Sequence, residues 1–385
     1  MDINEFKDKL FEGKMTRREA HKVLAAAGVT AVTLPAMRRP ALAAAGDDIT
    51  LFTWGGYDDD IFAKEYRESY GSKPNIAMFS DQSEALAKIR AGFHVDVVWP
   101  CISKIKIWHD AGVVAPLDTS LLSHWDELVP SLKTLPTANL PDGTPLFAPV
   151  DFGQTSIIVN TDLAPEYAAE ENHTWGIFLD EKYKGKLAMF DAVEDHFNLM
   201  AIYLGIDFTD MSDAEIDQVS DVVRKTIPNI RILASDTTTM TQALFSGEVV
   251  ASAAWNGMML TASQEMEKTG EHGKYVWMKP KEGALTWVCG LTIHPDAKEG
   301  GNWEQAHALV DAYLAPESQY HELIEWGYGV SNELAYKYPD ITEAYLNSIG
   351  LSADVDAYLA DGVFSTYQAR FSEIVTRYDE LLAGF

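Results

Sequence analysis

Cysteine, cationic side chains and long apolar runs are all scarce in this sequence. Its 385 residues contain two cysteines, Cys101 and Cys289, which are too few for a disulfide framework. Neither lies in a metal-spaced cluster with histidine, and we expect no metal or other cofactor. Lysine and arginine number 30 against 58 acidic residues, giving a formal charge of −28. Such a surface repels nucleic acid and anionic lipid, and it favours solubility and cationic ligands.

The first 45 residues have the layout of a removable export signal. Arg17, Arg18 and Lys22 precede an apolar stretch over residues 23–37, and an alanine-rich end covers residues 41–45. That stretch is too short to span a bilayer, which takes roughly 20 apolar residues. The paired arginines resemble a twin-arginine signal, which predicts a periplasmic mature chain. The alternative is an amphipathic N-terminal helix. No later segment approaches a membrane span, so we expect the mature chain to be soluble.

After residue 45, short apolar strands alternate with amphipathic helices. Strands are predicted at residues 49–54, 95–99, 155–160, 186–190, 249–255 and 286–293. Helices are predicted at residues 59–70, 102–110, 194–204, 213–225 and 303–314. This alternation predicts an α/β fold with ligands at the carboxyl ends of strands. Because there is no proline- or glycine-rich linker, we expect two lobes joined by short crossing strands, with a ligand cleft between them.

Four segments, spread in order over the chain, carry a family resemblance. They contain Ala148-Pro149-Val150-Asp151-Phe152-Gly153, Trp175-Gly176-Ile177-Phe178, Ala254-Trp255-Asn256-Gly257 and Gly327-Tyr328-Gly329-Val330. The chain resembles bacterial extracellular solute-binding proteins of ABC importers, and within them the spermidine/putrescine-binding proteins. The resemblance implies a two-lobed periplasmic-binding-protein fold, with mixed sheets flanked by helices and hinge strands between lobes that close on the ligand.

The same resemblance sets the expected domain boundaries. Residues 1–45 form the export signal. Lobe 1 is expected to contain residues 46–152 plus 288–336, and lobe 2 residues 153–287 plus 337–385.

Five aromatic residues match positions at which polyamine binders pack rings against their ligand. Trp54 and Tyr57 follow the first strand in a Trp-x-x-Tyr arrangement, and Trp255, Trp287 and Tyr328 match further aromatic contacts. Such rings attract ammonium groups through cation–π contacts and cover the methylene chain. The alternative for each tryptophan is packing in the core of a lobe.

Two carboxylates and a hydroxyl complete the implied ligand set. Asp191 and Glu194 match a segment whose carboxylates meet ligand amines, and Ser235 matches a weaker polar contact. The alternative is a capping box, in which Asp191 caps the following helix. If the register slips by one residue, Asp195 or His196 would take the place of the second carboxylate.

Three positions depart from the polyamine-binding pattern. Cys101 stands where those proteins carry a serine, and Ser103 stands where they carry a tyrosine. Cys289 replaces an aspartate that pairs with an amine, and a neutral thiol cannot anchor an ammonium as a carboxylate does. All three positions remain candidate ligand contacts.

The missing aspartate leaves two interpretations of the ligand. Either Asp151 or Asp236 holds the second amine, or the ligand has only one cationic end. Ligands of the second kind include a monoamine, a quaternary amine and a zwitterionic amino compound. A zwitterion would also need a cationic partner for its carboxylate, for which Lys104 is a candidate.

The two cysteines also leave alternatives open. They would form a disulfide if their Cα atoms lay within about 7 Å, but two separate buried thiols are the favoured interpretation. An enzyme reaction would use Cys101 as nucleophile with Asp191 or Glu194 as base, yet no histidine is placed to activate it. Ferric relatives use adjacent tyrosines, and the sequence contains no such pair. We therefore predict a monomeric, non-enzymatic binding protein that delivers an amine-bearing solute, by preference a polyamine, to the transmembrane subunits of an ABC permease.

Overall fold

The computed structural model describes residues 49–383, and the predicted export signal lies outside them. The strands are β1 (Thr50–Thr53), β2 (Asn75–Met78), β3 (Val97–Val98), β4 (Ala148–Asn160), β5 (Leu187–Phe190), β6 (Ile230–Ala234), β7 (Ala251–Trp255), β8 (Tyr275–Trp277), β9 (Leu285–Ile293), β10 (Gly329–Val330) and β11 (Val363–Phe364). The helices are α1 (Lys64–Tyr70), α2 (Gln82–Arg90), α3 (Ile102–Asp110), α4 (Val193–Leu204), α5 (Asp213–Thr226), α6 (Thr237–Ser246), α7 (Asn256–Thr269), α8 (Pro295–Glu299), α9 (Trp303–Leu314), α10 (Pro316–Trp326), α11 (Glu343–Ser348), α12 (Val355–Ala360) and α13 (Phe371–Leu382). None of these helices is long and apolar enough to cross a membrane.

The strands follow one continuous hydrogen-bonded order, β2-β1-β3-β9-β4-β7-β5-β6, with β8 and β10 added to β4 and β11 added to β9. The pairs near the two ends of this order are parallel, as in β1–β3 and β5–β6. In the middle, the long strands β4 and β9 run antiparallel, and β9 also pairs with β3. Two parallel α/β units are therefore joined through two long antiparallel strands. This mixed sheet flanked by helices confirms the predicted fold class.

Each end of the strand order has its own apolar core. Trp175, Phe178 and Phe197 are buried in the core around β5 and β7. Phe52 and Trp108 belong to a separate core around β1 and β3. The core on this second side is divided into two clusters, the other of which contains Tyr57 and Trp99. Because β4 and β9 contribute buried residues to the cores on both sides, that pair is the structural link between them.

The predicted lobe boundaries stay a prediction, and the last 50 residues divide between the two cores. Leu346 and Leu359 are buried in the cluster that contains Phe52. Ile374 and Tyr378 are buried in the cluster on the other side. The C-terminal part of the chain thus contributes side chains to both sides.

Several predicted elements are confirmed, most with bounds that differ by one or two residues, and two begin five or more residues from the predicted start. Helices α3 and α9 have the predicted bounds. Strand β4 begins seven residues before the predicted start at residue 155. Every residue from Ala148 onward is buried, so the strand has no alternation of apolar and polar residues by which its start could be predicted. Helix α1 begins five residues after its predicted start at residue 59, because turns occupy the preceding residues. One of these turns is closed by a hydrogen bond from the Asp59 N–H to the Gly56 carbonyl at 3.4 Å.

Candidate ligand-binding site

Three of the predicted residues share one face of the central strands. Along β4, Asp151, Gly153 and Thr155 point to the same face, since side chains alternate along a strand. Their partners across the ladders are Cys289 opposite Asp151, Trp287 opposite Gly153, and Trp255 opposite Thr155. Residues that are more than 30 positions apart in sequence therefore converge on one surface.

Gly153 gives the Trp287 ring room on this face. A Cβ atom added at Gly153 would lie 2.5 Å from a ring carbon of Trp287 and 2.7 Å from the Asn256 side-chain oxygen. Trp287 is partly exposed and stands perpendicular to the Tyr328 ring, with centroids 5.0 Å apart. Glycine is required here by close packing rather than by backbone conformation.

Cys101 and Cys289 form a disulfide, so the favoured prediction of two separate thiols was wrong. The reason is the register between β3 and β9. Val98 pairs with Thr292, and continuing that antiparallel register along the chain brings Cys101 opposite Cys289. Because both sulfur atoms are in the disulfide, Cys101 has no free thiol to act as the nucleophile of the enzyme alternative.

Tyr57 lies between two buried acids, Asp151 and Glu322. Its hydroxyl donates to Asp151 Oδ2 at 2.5 Å and lies 3.1 Å from Glu322 Oε1. Asp151 is 2% exposed and Glu322 0%. The two acids are also hydrogen-bonded to each other, and no donor within residues 49–383 reaches Asp151 Oδ1 or Glu322 Oε2. We call Asp151 and Glu322 the acid pair.

Burial raises the pKa values of both acids of the pair, and the Asp151 charge raises that of Glu322 as well. Burial raises the pKa of Asp151 to about 6, although the hydrogen bond from Tyr57 opposes the change. The pKa of Glu322 rises further above its ordinary value, because of burial first and the neighbouring Asp151 charge second. The acids also raise the pKa of the Tyr328 hydroxyl, which burial already shifts upward. A buried acid pair with raised pKa values holds a proton near neutral pH.

Glu194 and Ser103, both predicted ligand contacts, meet each other at a second cluster. The Ser103 hydroxyl donates to Glu194 Oε1 at 3.1 Å, and the Lys104 ammonium lies 3.0 Å from the same oxygen. The Lys104 ammonium also lies 3.5 Å from the centroid of the Phe371 ring. The Lys104 side chain is 6% exposed and that of Glu194 28%. The carboxylate of this cluster is therefore already paired with a cation of the chain.

Trp255 packs flat against Phe190, with ring centroids 4.5 Å apart and planes 15° apart. Beside it, the Thr155 hydroxyl donates to Asp195 Oδ1 at 2.7 Å. Burial raises the pKa of Asp195 to about 6, and the hydrogen bonds from Thr155 and Trp255 oppose that change. Asp195, named in the sequence analysis only for a slipped register, thus contacts the predicted tryptophan.

Three further predicted residues are Trp54, Asp191 and Ser235. The Trp54 ring is partly exposed and packs on Phe79, with centroids 4.6 Å apart. Asp191 and Ser235 are exposed at the carboxyl ends of β5 and β6, where the Asp191 N–H donates to the Ala234 carbonyl at 3.0 Å. Asp191 does not cap helix α4, because that helix has Ala192 at its N-cap without a side-chain cap. The capping alternative for Asp191 was therefore wrong.

Glu322 and Trp326 were missed by sequence reasoning. Both lie on helix α10, and a lone glutamate on an amphipathic helix normally faces water. The Tyr57 ring packs on Trp326, with centroids 4.5 Å apart, and this contact covers that side of the helix. A glutamate one turn before an aromatic residue on the same helix was the only available signal.

Two further observations bear on other kinds of site. A surface depression of about 520 Å³ is lined by residues such as Asp118, Lys298 and Trp303, and none of the predicted residues lines it. Within residues 49–383, no three acidic, cysteine or histidine side chains are grouped so that they could hold a metal ion.

A mixed sheet with two cores and a polar, aromatic face between them defines the class of two-lobed binding proteins. The family model described as "Bacterial extracellular solute-binding protein" matches residues 62–347, and the chain belongs to that family. The chain is 27% identical over 302 residues to a spermidine/putrescine-binding periplasmic protein of Haemophilus influenzae, covering 77% of this chain and 79% of that one. It is also 27% identical over 304 residues to the putrescine-binding periplasmic protein PotF of Escherichia coli, covering 76% and 80%.

Solved structures have the same fold. A lipoprotein of Treponema pallidum superimposes with a TM-score of 0.73 at 19% identity, covering 87% of this chain and 99% of that chain. A putative spermidine/putrescine ABC transporter protein from Listeria monocytogenes superimposes with a TM-score of 0.70 at 21% identity, covering 87% and 97%. At these identities the comparison establishes the fold.

Proposed function

We propose that this chain is the solute-binding component of an ABC importer and that its ligand is a polyamine such as putrescine or spermidine. The observation that carries the proposal is the shared face of β4, β7 and β9, to which Trp255, Trp287 and Asp151 all belong. A polyamine needs aromatic surfaces for its methylene chain and acidic groups for its amines. The names of the curated relatives support the same ligand class.

The candidate contacts are numerous enough for useful affinity. Cation–π contacts contribute roughly 0.5–2 kcal/mol each, and charge-assisted hydrogen bonds roughly 1.5–3 kcal/mol. A ligand bound at micromolar strength needs about 8 kcal/mol net. Two or three contacts of each kind reach that value after the losses of binding entropy.

The proposed mechanism is reversible binding without chemistry on the ligand. Trp255 belongs to the core around β7, whereas Tyr57 belongs to the core on the other side. A ligand that touches both sides favours the arrangement in which they are close. We propose that the protein acts as a monomer, exported by a twin-arginine signal, and that the closed form is recognised by permease transmembrane subunits.

A second candidate is the same role for a ligand with one cationic end. The Lys104 ammonium already pairs with Glu194 at 3.0 Å, which is the carboxylate expected to meet a ligand amine. A monoamine or quaternary amine needs no second carboxylate, and the carboxylate of a zwitterionic amino compound would meet Lys104. This observation favours such ligands over a compound with amines at both ends.

Thermal unfolding of ligand-stripped protein separates the two candidates. A ligand at a thousand times its Kd stabilises by about 4 kcal/mol, which raises the Tm visibly. We expect putrescine and spermidine to raise it. A shift only with γ-aminobutyrate, glycine betaine or choline would favour the second candidate, and no shift with any of the five would contradict the proposal.

A matched pair of tryptophan variants tests the proposed face. Trp255→Ala should weaken polyamine binding at least tenfold in calorimetry, because it removes an aromatic ligand surface. Trp303→Ala removes the same side chain at the distant surface depression and should change Kd less than twofold. Equal Kd values for the two variants would mean that the ligand binds elsewhere.

A further inference from the structure

The acid pair is an unusual feature for the interior of a protein, because no cation accompanies it. No lysine, arginine or histidine within residues 49–383 forms an ion pair with Asp151 or Glu322, and the histidine next to Glu322, His321, pairs with Asp59 instead. Buried acids are ordinarily paired with a cation or a full set of donors. Here Tyr57 supplies one hydroxyl, and a proton shared between the two carboxyls links Asp151 to Glu322. Among the described residues, no other donor reaches the buried oxygens Asp151 Oδ1 and Glu322 Oε2.

Aromatic rings surround the acid pair, and we call them the aromatic enclosure. Its inner members are Tyr57 and Trp99, whose ring centroids lie 3.9 Å apart. The indole N–H of Trp99 has no hydrogen-bond partner within the described residues, although the ring lies close enough to Asp151 to lower its pKa. The enclosure consists of Tyr57, Trp99, Trp287, Trp326 and Tyr328.

The outer members of the aromatic enclosure reach the surface. Trp287, Trp326 and Tyr328 are partly exposed, whereas Tyr57 and Trp99 are buried at 5% and 0% exposure. Tyr328 contacts both other outer rings, at centroid distances of 5.0 Å and 6.3 Å. These partly exposed rings are connected to the acid pair through Trp326, which packs on Tyr57. Asp151 itself lies opposite Cys289 in the β4–β9 ladder.

We propose that the acid pair, within its aromatic enclosure, binds a ligand ammonium group that bears N–H donors. The ammonium displaces the proton shared by the two carboxyls, whose oxygens then accept its N–H donors, and the surrounding rings stabilise the positive charge by cation–π contact. A quaternary ammonium has no N–H to donate and would leave both oxygens unpartnered. The inference rests on the proposed function and specifies which acids of the site hold a primary or secondary amine.

The alternative for the acid pair is a structural one, in which a proton held between the two carboxyls satisfies them permanently. This arrangement explains their proximity without a ligand. It does not explain why the rings around them lead to the surface. The two interpretations differ in what conservative amide substitutions do to ligand affinity.

The test uses the full mature chain and putrescine as the probe, with Kd measured by calorimetry. Asp151→Asn and Glu322→Gln each keep the shape of the side chain, but they replace one acceptor oxygen with an NH₂ donor and remove the negative charge. We expect each to raise the Kd for putrescine at least tenfold. Glu325→Gln is the matched control, because Glu325 is exposed on the same helix α10 and should leave Kd within twofold.

Each outcome decides between the proposals. If wild type binds putrescine and both variants fold but bind it within twofold of wild type, the role of the acid pair is overturned while the proposed function stands. If wild type binds none of the amines, the proposed function fails and the inference with it. Should Asp151→Asn fail to fold, Glu322→Gln gives the result alone, with near-ultraviolet circular dichroism as the check of its folding.

Discussion

The two carboxylate clusters of the site differ in one respect, the presence of a cation. Glu194 pairs with the Lys104 ammonium and accepts a hydrogen bond from Ser103. Asp151 and Glu322 are hydrogen-bonded to the Tyr57 hydroxyl and to each other, and they have no cationic partner within residues 49–383. Both clusters lie beside aromatic rings, so aromatic surroundings alone do not separate them.

This difference shows that a carboxylate at a binding position can already be neutralised by the chain itself. Lys104 and Phe371 give Glu194 the ammonium and the ring that an amine ligand would bring to the carboxylate. The acid pair lacks that internal ammonium while being more deeply buried. A ligand ammonium therefore gains more at the acid pair, where it removes an electrostatic cost, than at Glu194, where it must displace Lys104.

The largest expected effect is a loss of stability at the cluster of Glu194, Lys104 and Ser103. Glu194→Gln should lower the free energy of unfolding by about 2–3 kcal/mol, because it leaves the nearly buried Lys104 ammonium without a charged partner. Urea denaturation monitored by tryptophan fluorescence measures the change. The double variant Lys104→Met with Glu194→Gln should recover most of the loss, since neither charge then remains. If Glu194→Gln is as stable as wild type, the ion pair contributes nothing to stability. That result would contradict the claim that Lys104 and Glu194 stabilise each other.

At the acid pair, we expect a smaller change in the free energy of unfolding, and an increase rather than a decrease. Glu322→Gln should raise the free energy of unfolding at pH 8 by about 1–2 kcal/mol without ligand, because Glu322 is ionised in the unfolded chain and must on folding either take up a proton or bury its charge without a cation, whereas glutamine does neither. The same denaturation measurement applies, and Glu325→Gln should stay within about 0.5 kcal/mol of wild type. A structural role for the Glu322 charge would instead make Glu322→Gln less stable. If Glu322→Gln is more stable than wild type but binds the ligand more weakly, the Glu322 carboxyl serves ligand binding rather than stability.

Much of the architecture was accessible from the sequence. The alternation of strands and helices predicted the α/β class, and helices α3 and α9 have the predicted bounds because their apolar periodicity is regular. The convergence of Trp255 and Trp287 was expected from the family resemblance, and the strand register brings them to one face. Their role in binding stays a prediction.

The rest depends on pairings that a single sequence does not contain. The disulfide follows from the register of β3 on β9, which no spacing between Cys101 and Cys289 reveals. Glu322 has the sequence surroundings of a surface glutamate, and its burial arises only because Tyr57 packs against the same helix. Lys104 was named as a partner for a ligand carboxylate, but in the structure it faces a carboxylate of the chain. Long-range contacts thus decided which charges were free to meet a ligand.

Counting the protons exchanged on binding tests the role of the acid pair most directly. The pKa values of Asp151 and Glu322 are raised above their ordinary values, so the folded protein holds a proton there that a nearby ammonium should expel. The affinity for an amine should therefore increase as pH rises from 5 to 8. The other titratable groups that interact with the pair are phenols, whose pKa values burial raises, so that they keep their protons at pH 7: Tyr57, Tyr313, Tyr328 and Tyr336.

The measurement is calorimetry of putrescine binding at pH 7 in buffers of different ionisation enthalpy, on wild type and on Glu322→Gln. We expect wild type to release close to one proton per ligand, and the variant, which binds more weakly, to release almost none. Binding by wild type with no proton release, or equal release by both proteins, would contradict the assignment of the ligand ammonium to Asp151 and Glu322.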